Sequence, residues 1–273
     1  MPVHHYENFP VASWLLPSSL RKPIQTIYAF ARSADDFADE GCLTNGERIA
    51  LLDGYERELD RIDAGELMTT PMFVNLAEAI AAHQLPVQLF RDLLSAFRQD
   101  VTKTRYASFT ELMDYCRRSA NPVGRLMLHL YRETTPQNLA RSDAICSALQ
   151  LINHWQDVAI DWGKNVGGRI YLPLEDLARF ELSERDIAHQ SNNAAWRNMM
   201  AFQCDRARKL MQLGAPLGHL LAGRIGAELR IIIAGGSAIL DKIDAVNGDV
   251  FRHRPRLSRW DWLQIAPRAL ISL

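Results

Sequence analysis

At 273 residues, 48% hydrophobic and 23% charged, the chain has enough apolar material for a sizeable core and is no disordered sequence. Its 31 Lys and Arg against 32 Asp and Glu leave a net charge of -1, which removes the broad electrostatic case for a nucleic-acid binder. Four scattered cysteines (Cys42, Cys116, Cys146, Cys204) with no CxxC exclude a disulfide framework or structural zinc site and read as reduced core thiols of a cytoplasmic protein.

Residue usage predicts an all-α fold. Ala and Leu number 67 and Val and Thr only 19, so helix formers prevail, and no segment alternates apolar with polar residues. Pro and Gly clusters place breaks at residues 17–23, 40–46, 69–71, 85–86, 121–122, 134–136, 163–173, 190–193, 214–218 and 248–255. None is long enough to link separate domains, so roughly ten helices in one domain spanning 1–273 are expected. The N-terminal residues lack the layout of an export signal, and the longest uncharged apolar run, 231–240, is about half a bilayer crossing. A cytoplasmic protein is expected, with peripheral contact at the inner membrane as an option.

The first informative helix covers 24–40. Tyr28, Arg32, Asp35, Asp36 and Asp39 recur at spacings of three and four, forming one stripe. At about 6 Å and an effective dielectric near 20, each like-charge pair costs roughly 2–3 kcal/mol. The cluster also lies at the helix end that disfavours anions. A divalent cation would reverse both penalties; a solvated acidic helix end is the alternative. Next in order, Leu89, Leu93, Ala96, Phe97 and Val101 mark an amphipathic helix.

Residues 142–162 predict a helix with Ser142 as N-cap, apolar around most of its circumference and therefore buried. Yet Gln150, Asn153, Asp157 and Asp161 form a polar stripe along it. Buried carboxylates need cations or metal, so the choice is between a salt-bridge network with arginines and a metal site. Two such stripes facing each other make an all-oxygen cage that suits Mg²⁺, whose remaining ligands are commonly water and phosphate oxygens. The glycine-rich loop that follows offers Lys164 and Arg169 to phosphate. His154, Trp155 and Trp162 read as packing residues. The arginines of 252–259 suit a diphosphate, an anionic membrane or solvent, and residues 260–273 read as a terminal helix packed on the body.

Three segments, YAFARSADDFAD (28–39), QLINHWQDVAID (150–161) and GRIYLP (168–173), resemble the signatures of the squalene/phytoene synthase family. Asp100, Tyr106, Tyr115, Cys116, Val123, Gly124, Ile239, Leu240 and residues 249–255 fit the same pattern, so the resemblance spans nearly the whole chain. It implies the single-domain isoprenoid synthase fold with a central cavity between the two acidic helices. It implies metal-ligand roles for Asp35, Asp36, Asp39, Asn153, Asp157 and Asp161. Substrate contacts carry over to Phe9, Tyr28, Arg32, Tyr115, Gln150 and Arg169, with Lys164 beside them. The residues expected to carry catalysis are Asp35, Asp39, Asp157, Asp161 and Tyr115.

Departures from the family pattern narrow the reading. Gln156 stands where an Arg is usual, Glu7 lies upstream of Phe9 where hydroxyl or basic residues are common, Ile160 precedes Asp161 in place of Glu, and Gly236 replaces an aromatic residue. Fewer cations suit a substrate with one diphosphate rather than two. Residues 3–17, 120–124 and 153–157 resemble the bacterial hydroxysqualene synthase subgroup, which implies conversion of presqualene diphosphate and water to hydroxysqualene, with Mg²⁺ and without a reductant. Presqualene diphosphate synthase, a phytoene- or dehydrosqualene-type synthase, and a non-catalytic assembly protein are the rival readings. No GxGxxG occurs, but NADPH-dependent squalene synthases lack it as well. Contact with neighbouring pathway enzymes is a further expectation of the resemblance.

Overall fold

A computed structural model describes residues 17–39, 41–164 and 168–271. Phe9, Glu7 and the paired histidines His4 and His5 lie outside them. The described chain forms α1 (Ser18–Asp39), α2 (Asn45–Asp63), α3 (Pro71–His83), α4 (Val87–Thr102), α5 (Phe109–Ser119), α6 (Asn121–Tyr131) and α7 (Pro136–Gln156). There follow α8 (Val158–Gly163), α9 (Leu174–Arg179), α10 (Glu184–Ala188), α11 (Ala194–Gly214), α12 (Leu217–Leu220), α13 (Gly223–Ala245) and α14 (Arg259–Ile271). Ten of these have eleven residues or more and four have six or fewer, and no strand occurs among the described residues. The all-α reading holds.

Four local expectations are corrected. Pro23 does not delay α1, which starts at Ser18 and carries the proline as its sixth residue, forgoing one intrahelical hydrogen bond there while the proline ring is buried in the core. Ser142 is not an N-cap: it is buried inside α7, whose N-cap lies seven residues earlier, where Thr135 accepts from the Asn138 N–H and Pro136 fills the first helical position. The same helix stops at Gln156, and Asp157, with φ -107° and ψ 13°, turns the chain into α8. Among the cysteines, Cys116 and Cys204 are buried and Cys146 partly so, but Cys42 is exposed in the loop after α1; all four are free thiols.

Two apolar clusters make up the core. Phe30, Phe73 and Phe90 pack edge to face where α1, α3 and α4 meet, closed by Leu52 and Leu59 of α2 and by Leu126 and Leu130 of α6. The larger cluster surrounds α7, whose Ile145, Ala148, Leu151, Ile152 and Trp155 are all buried against α5, α11 and α13. Glycines let its neighbours come close. A Cβ on Gly124 of α6 would stand 2.5 Å from Cys146 Sγ, and one on Gly214 of α11 would stand 2.6 Å from the Arg141 carbonyl. At Gly236 of α13 it would stand 2.8 Å from Leu149, so α7 side chains fill the room an aromatic residue would take. No helix among the described residues is long and apolar enough to cross a membrane.

Candidate active site

The two acidic rows are brought together by the loop after α8. In α1, Ile24, Ile27, Ala34 and Ala38 are buried in the core, which turns Arg32, Asp35, Asp36 and Asp39 toward the α8 side. The Arg169 N–H groups donate to Asp39 at 3.1 Å and to the Asp100 carbonyl at 2.7 Å. Lys164 lies 3.1 Å from Asp39 and 3.8 Å from Asp161 and so spans the rows. Gly168 makes the approach of Arg169 feasible: its φ of +68° is left-handed, and a Cβ there would stand 2.6 Å from the Trp162 carbonyl.

Each expected residue can be placed. Arg32 pairs within its own helix with Asp35 (3.2 Å) and Asp36 (2.6 Å). Tyr28 is half-buried one turn earlier. Asn153 is half-buried in α7, and its carbonyl accepts from the Asp157 N–H. Gln150 hydrogen-bonds His154 at 3.2 Å. Asp157 is held by Arg254, which donates through Nε and, at 3.0 Å, through its terminal nitrogen. Asp161 is buried, and its N–H caps onto the Asp157 carbonyl at 2.8 Å, keeping the stripe in register across the break.

The electrostatics are uneven. Burial raises the Asp35 carboxyl to about 6, helped by Asp39 and only partly offset by Arg32. Burial also raises Asp161 to about 7 against the pull of Lys164. For Asp39 burial acts upward too, but Arg169 and Lys164 outweigh it and hold the carboxyl below its usual value. Negative charge is therefore undercompensated at Asp35 and Asp161 although three cations stand nearby. An all-oxygen donor set carrying excess charge fits a hard divalent cation. No group of three His, Cys, Asp or Glu side chains among the described residues is close enough to hold one ion; arginines and Lys164 engage the carboxylates instead.

Behind Arg169 lies a buried unit that the sequence pattern hinted at only in part. Tyr115 donates to Asp100 Oδ2 at 2.7 Å and Tyr171 to Oδ1 at 3.2 Å. Tyr106 stacks on Tyr171, and His154 stacks on its ring at 3.6 Å between centroids. Burial lifts Asp100 to about 7 despite Arg169, while burial and the charges of Arg169 and Lys164 lower His154 to about 3. His154 is thus a neutral packing residue. A signal for Asp100 was present: it continues the spacing of Leu89, Leu93, Ala96 and Phe97, which makes it an acid on an apolar face.

Gln156 differs from its expected place near phosphate. It is buried, and its amide donates to the Pro255 carbonyl, tying the segment after α13 to α7. Arg254 of that segment is the cation on Asp157, so positive charge missing at position 156 is supplied across space. Trp155 is core as expected, and Trp162, half-buried, packs against that core with the Arg105 guanidinium over its ring at 5.7 Å.

An all-helical body with facing acidic rows and a basic loop defines a class of prenyl-diphosphate enzymes, and residues 3–261 match the squalene/phytoene synthase family. The chain belongs to that family. It is 38% identical over 238 residues to a hydroxysqualene synthase of Rhodopseudomonas palustris, covering 87% of this chain and 79% of that protein. It is 33% identical to a 15-cis-phytoene synthase of Synechococcus elongatus, covering 97% and 88%. The crystal structure of the squalene synthase HpnC from Alicyclobacillus acidocaldarius superposes with a TM-score of 0.82 at 40% identity, covering 89% of this chain and 90% of that one.

Proposed function

We propose that this chain is a hydroxysqualene synthase: a one-domain, cytoplasmic, Mg²⁺-dependent lyase that ionises presqualene diphosphate and captures the cation with water. Hydroxysqualene and diphosphate are the products, in squalene and hopanoid biosynthesis. The observation that carries the reading is that both acidic rows are complete and drawn together through Lys164 and Arg169, in a chain 38% identical to a hydroxysqualene synthase. The long apolar product gives the enzyme reason to meet a membrane peripherally, beside neighbouring pathway enzymes.

Mg²⁺ held by Asp35, Asp36, Asp39, Asn153, Asp157 and Asp161 would supply Lewis-acid stabilisation of the leaving diphosphate. Arg32, Lys164 and Arg169 lend positive charge to the same oxygens, exchanging carboxylate partners for diphosphate. Tyr106, Tyr115 and Tyr171 form a packed aromatic layer behind Arg169, and their buried hydroxyl groups stay protonated, since burial lifts each phenol above its usual value. Water is excluded until Gln150, Asn153 or Tyr115 positions one molecule for capture.

Asp35→Asn and Asp157→Asn are expected to lower turnover at least about a hundredfold with circular dichroism unchanged, the scale of lost transition-state charge stabilisation. Activity retained in either variant would remove the metal assignment. The second reading, condensation of two prenyl diphosphates, is favoured by the 33% identity to a phytoene synthase over 97% of this chain. Incubation with Mg²⁺ and either presqualene diphosphate or farnesyl diphosphate, read by mass spectrometry, separates the two. Turnover of neither would favour an assembly role, against which the complete acidic rows weigh.

A further inference from the structure

Asp100 belongs to neither acidic row, yet it is buried on the apolar face of α4 and both its carboxylate oxygens are hydrogen-bonded. Tyr115 donates to Oδ2 at 2.7 Å and Tyr171 to Oδ1 at 3.2 Å. Arg169 is the cation beside it, but the two form no forked pair: Nη1 lies 4.0 Å from Oδ1. The guanidinium is held from behind by single hydrogen bonds instead. Nη1 donates to the Tyr171 hydroxyl at 3.2 Å, which donates on to Asp100, and Nη2 donates to the Asp100 backbone carbonyl at 2.7 Å. The direction of this chain is fixed, because a guanidinium only donates and a carboxylate only accepts.

Two of the five guanidinium donors are thereby turned toward α4. Two more fork onto Asp39 Oδ1, both at 3.1 Å, and the fifth, on Nε, is buried with no hydrogen-bond partner among the described residues. The backbone is pinned as well: the Arg169 N–H donates to the Asp161 carbonyl at 2.8 Å, and the Ile170 N–H to that of Thr104 at 2.9 Å. Tyr171 is locked in turn, stacked between the Tyr106 and His154 rings. An arginine side chain carries about 2 kcal/mol of rotamer entropy, so a fork fixed in advance binds an anion at less cost.

We propose that Asp100 is the positioning residue for Arg169: through the Tyr171 hydroxyl and its own carbonyl it aims the guanidinium fork at the acidic rows, where the fork takes diphosphate oxygens. The carboxylate faces the guanidinium without occupying it. A direct forked pair would consume the donors that phosphate needs, and an apolar side chain at 100 would leave both phenols without their acceptor. The inference rests on the reading that Arg169 meets diphosphate and adds the residue that sets its direction.

The test is calorimetric titration of the full chain with inorganic diphosphate and Mg²⁺, on a double-mutant cycle of Asp100→Asn and Arg169→Lys. Asn keeps the size and the backbone carbonyl but offers one acceptor oxygen in place of two; Lys keeps the charge but loses the fork. Each single variant should bind diphosphate at least about tenfold more weakly, and the double variant no more weakly than Arg169→Lys alone. Tyr171→Phe keeps the ring stack and removes only the hydroxyl between the two residues. It should lose about three- to tenfold, the scale of one hydrogen bond. A packing role for Asp100 would lower the thermal midpoint and leave the affinity of the folded protein unchanged, or add in full to the loss from Arg169→Lys; either result overturns the proposal. So does parent affinity in Tyr171→Phe, which carries the comparison where Asp100→Asn does not fold. Parent affinity in Arg169→Lys removes the diphosphate contact from Arg169 and the proposal with it. Parent affinity in Asp100→Asn beside a weakened Arg169→Lys removes the positioning alone.

Discussion

Arg169 shows how one side chain joins the two halves of the candidate site. Its guanidinium is 2% exposed, binds Asp39 and the Asp100 carbonyl, and lies beside the Tyr171 hydroxyl at 3.2 Å. Removing one partner of a buried pair leaves the other charge without compensation, at a cost of about 3–5 kcal/mol. The partner carboxylate of Asp39 is 22% exposed, which places Arg169→Gln at about 3 kcal/mol, the low end of that range. Urea unfolding of the variant checks this; a midpoint unchanged from the parent would show that Asp39 is already satisfied by Lys164. The type of residue at 169 was legible from its loop, because a basic residue beside glycines offers a cation. Its link to Asp100 was not, since 69 residues separate the two.

At the scale of elements, α7 sets the geometry of the second acidic row, and glycines set the distance of its neighbours. Gly214 is the sharpest case: a Cβ there would stand 2.4 Å from an Ile145 side-chain carbon and 2.6 Å from the Arg141 backbone carbonyl. Backbone cannot yield as a side-chain tip can, so overpacking of about 1–3 kcal/mol is expected for Gly214→Ala. A thermal shift of about 2–4 °C per kcal/mol makes this measurable. Gly46→Ala, near the start of α2 with open space around the added carbon, should shift the midpoint far less. Helix type and the large breaks were readable from Pro and Gly placement. The turn at Asp157 was not, because neither residue type marks it; it follows from the change of direction between α7 and the loop that carries Arg169.

At the scale of the whole molecule, buried acids shape the dependence of stability on pH. Asp100 and Asp161 titrate near 7 in the folded protein and Asp35 near 6, all above the usual carboxylate value. For a raised pKa, the folded state binds protons that the unfolded chain does not, so the contribution is present at low pH and is lost as pH rises through the folded value. Stability should therefore rise as pH falls from about 8 toward about 5, near the ordinary carboxylate range. Below about 6.5 His154 offsets one of these three protons, since its folded pKa is depressed to about 3 from 6.5 and the unfolded chain takes the proton first, but the gain continues. Asp39, held below its usual value, adds a further loss only at more acidic pH. A stability maximum at about pH 5 is expected in metal-free protein, by differential scanning calorimetry. Asp161→Asn should flatten its alkaline side, and a maximum at pH 8 or above would contradict the assignment of these acids.

The amino-acid sequence by itself determined the helical class, the family and the identity of both acidic rows. These depend on local spacing and on side-chain chemistry that motifs preserve. Tertiary structure alone decided what each acid meets: Arg254 on Asp157, Arg169 between Asp39 and Asp100, and Gln156 turned away to Pro255. Such pairings join residues tens to more than a hundred positions apart, and their energies depend on burial and approach distance. Those quantities arise only when α7 packs against its glycine-bearing neighbours and the basic loop closes over α1.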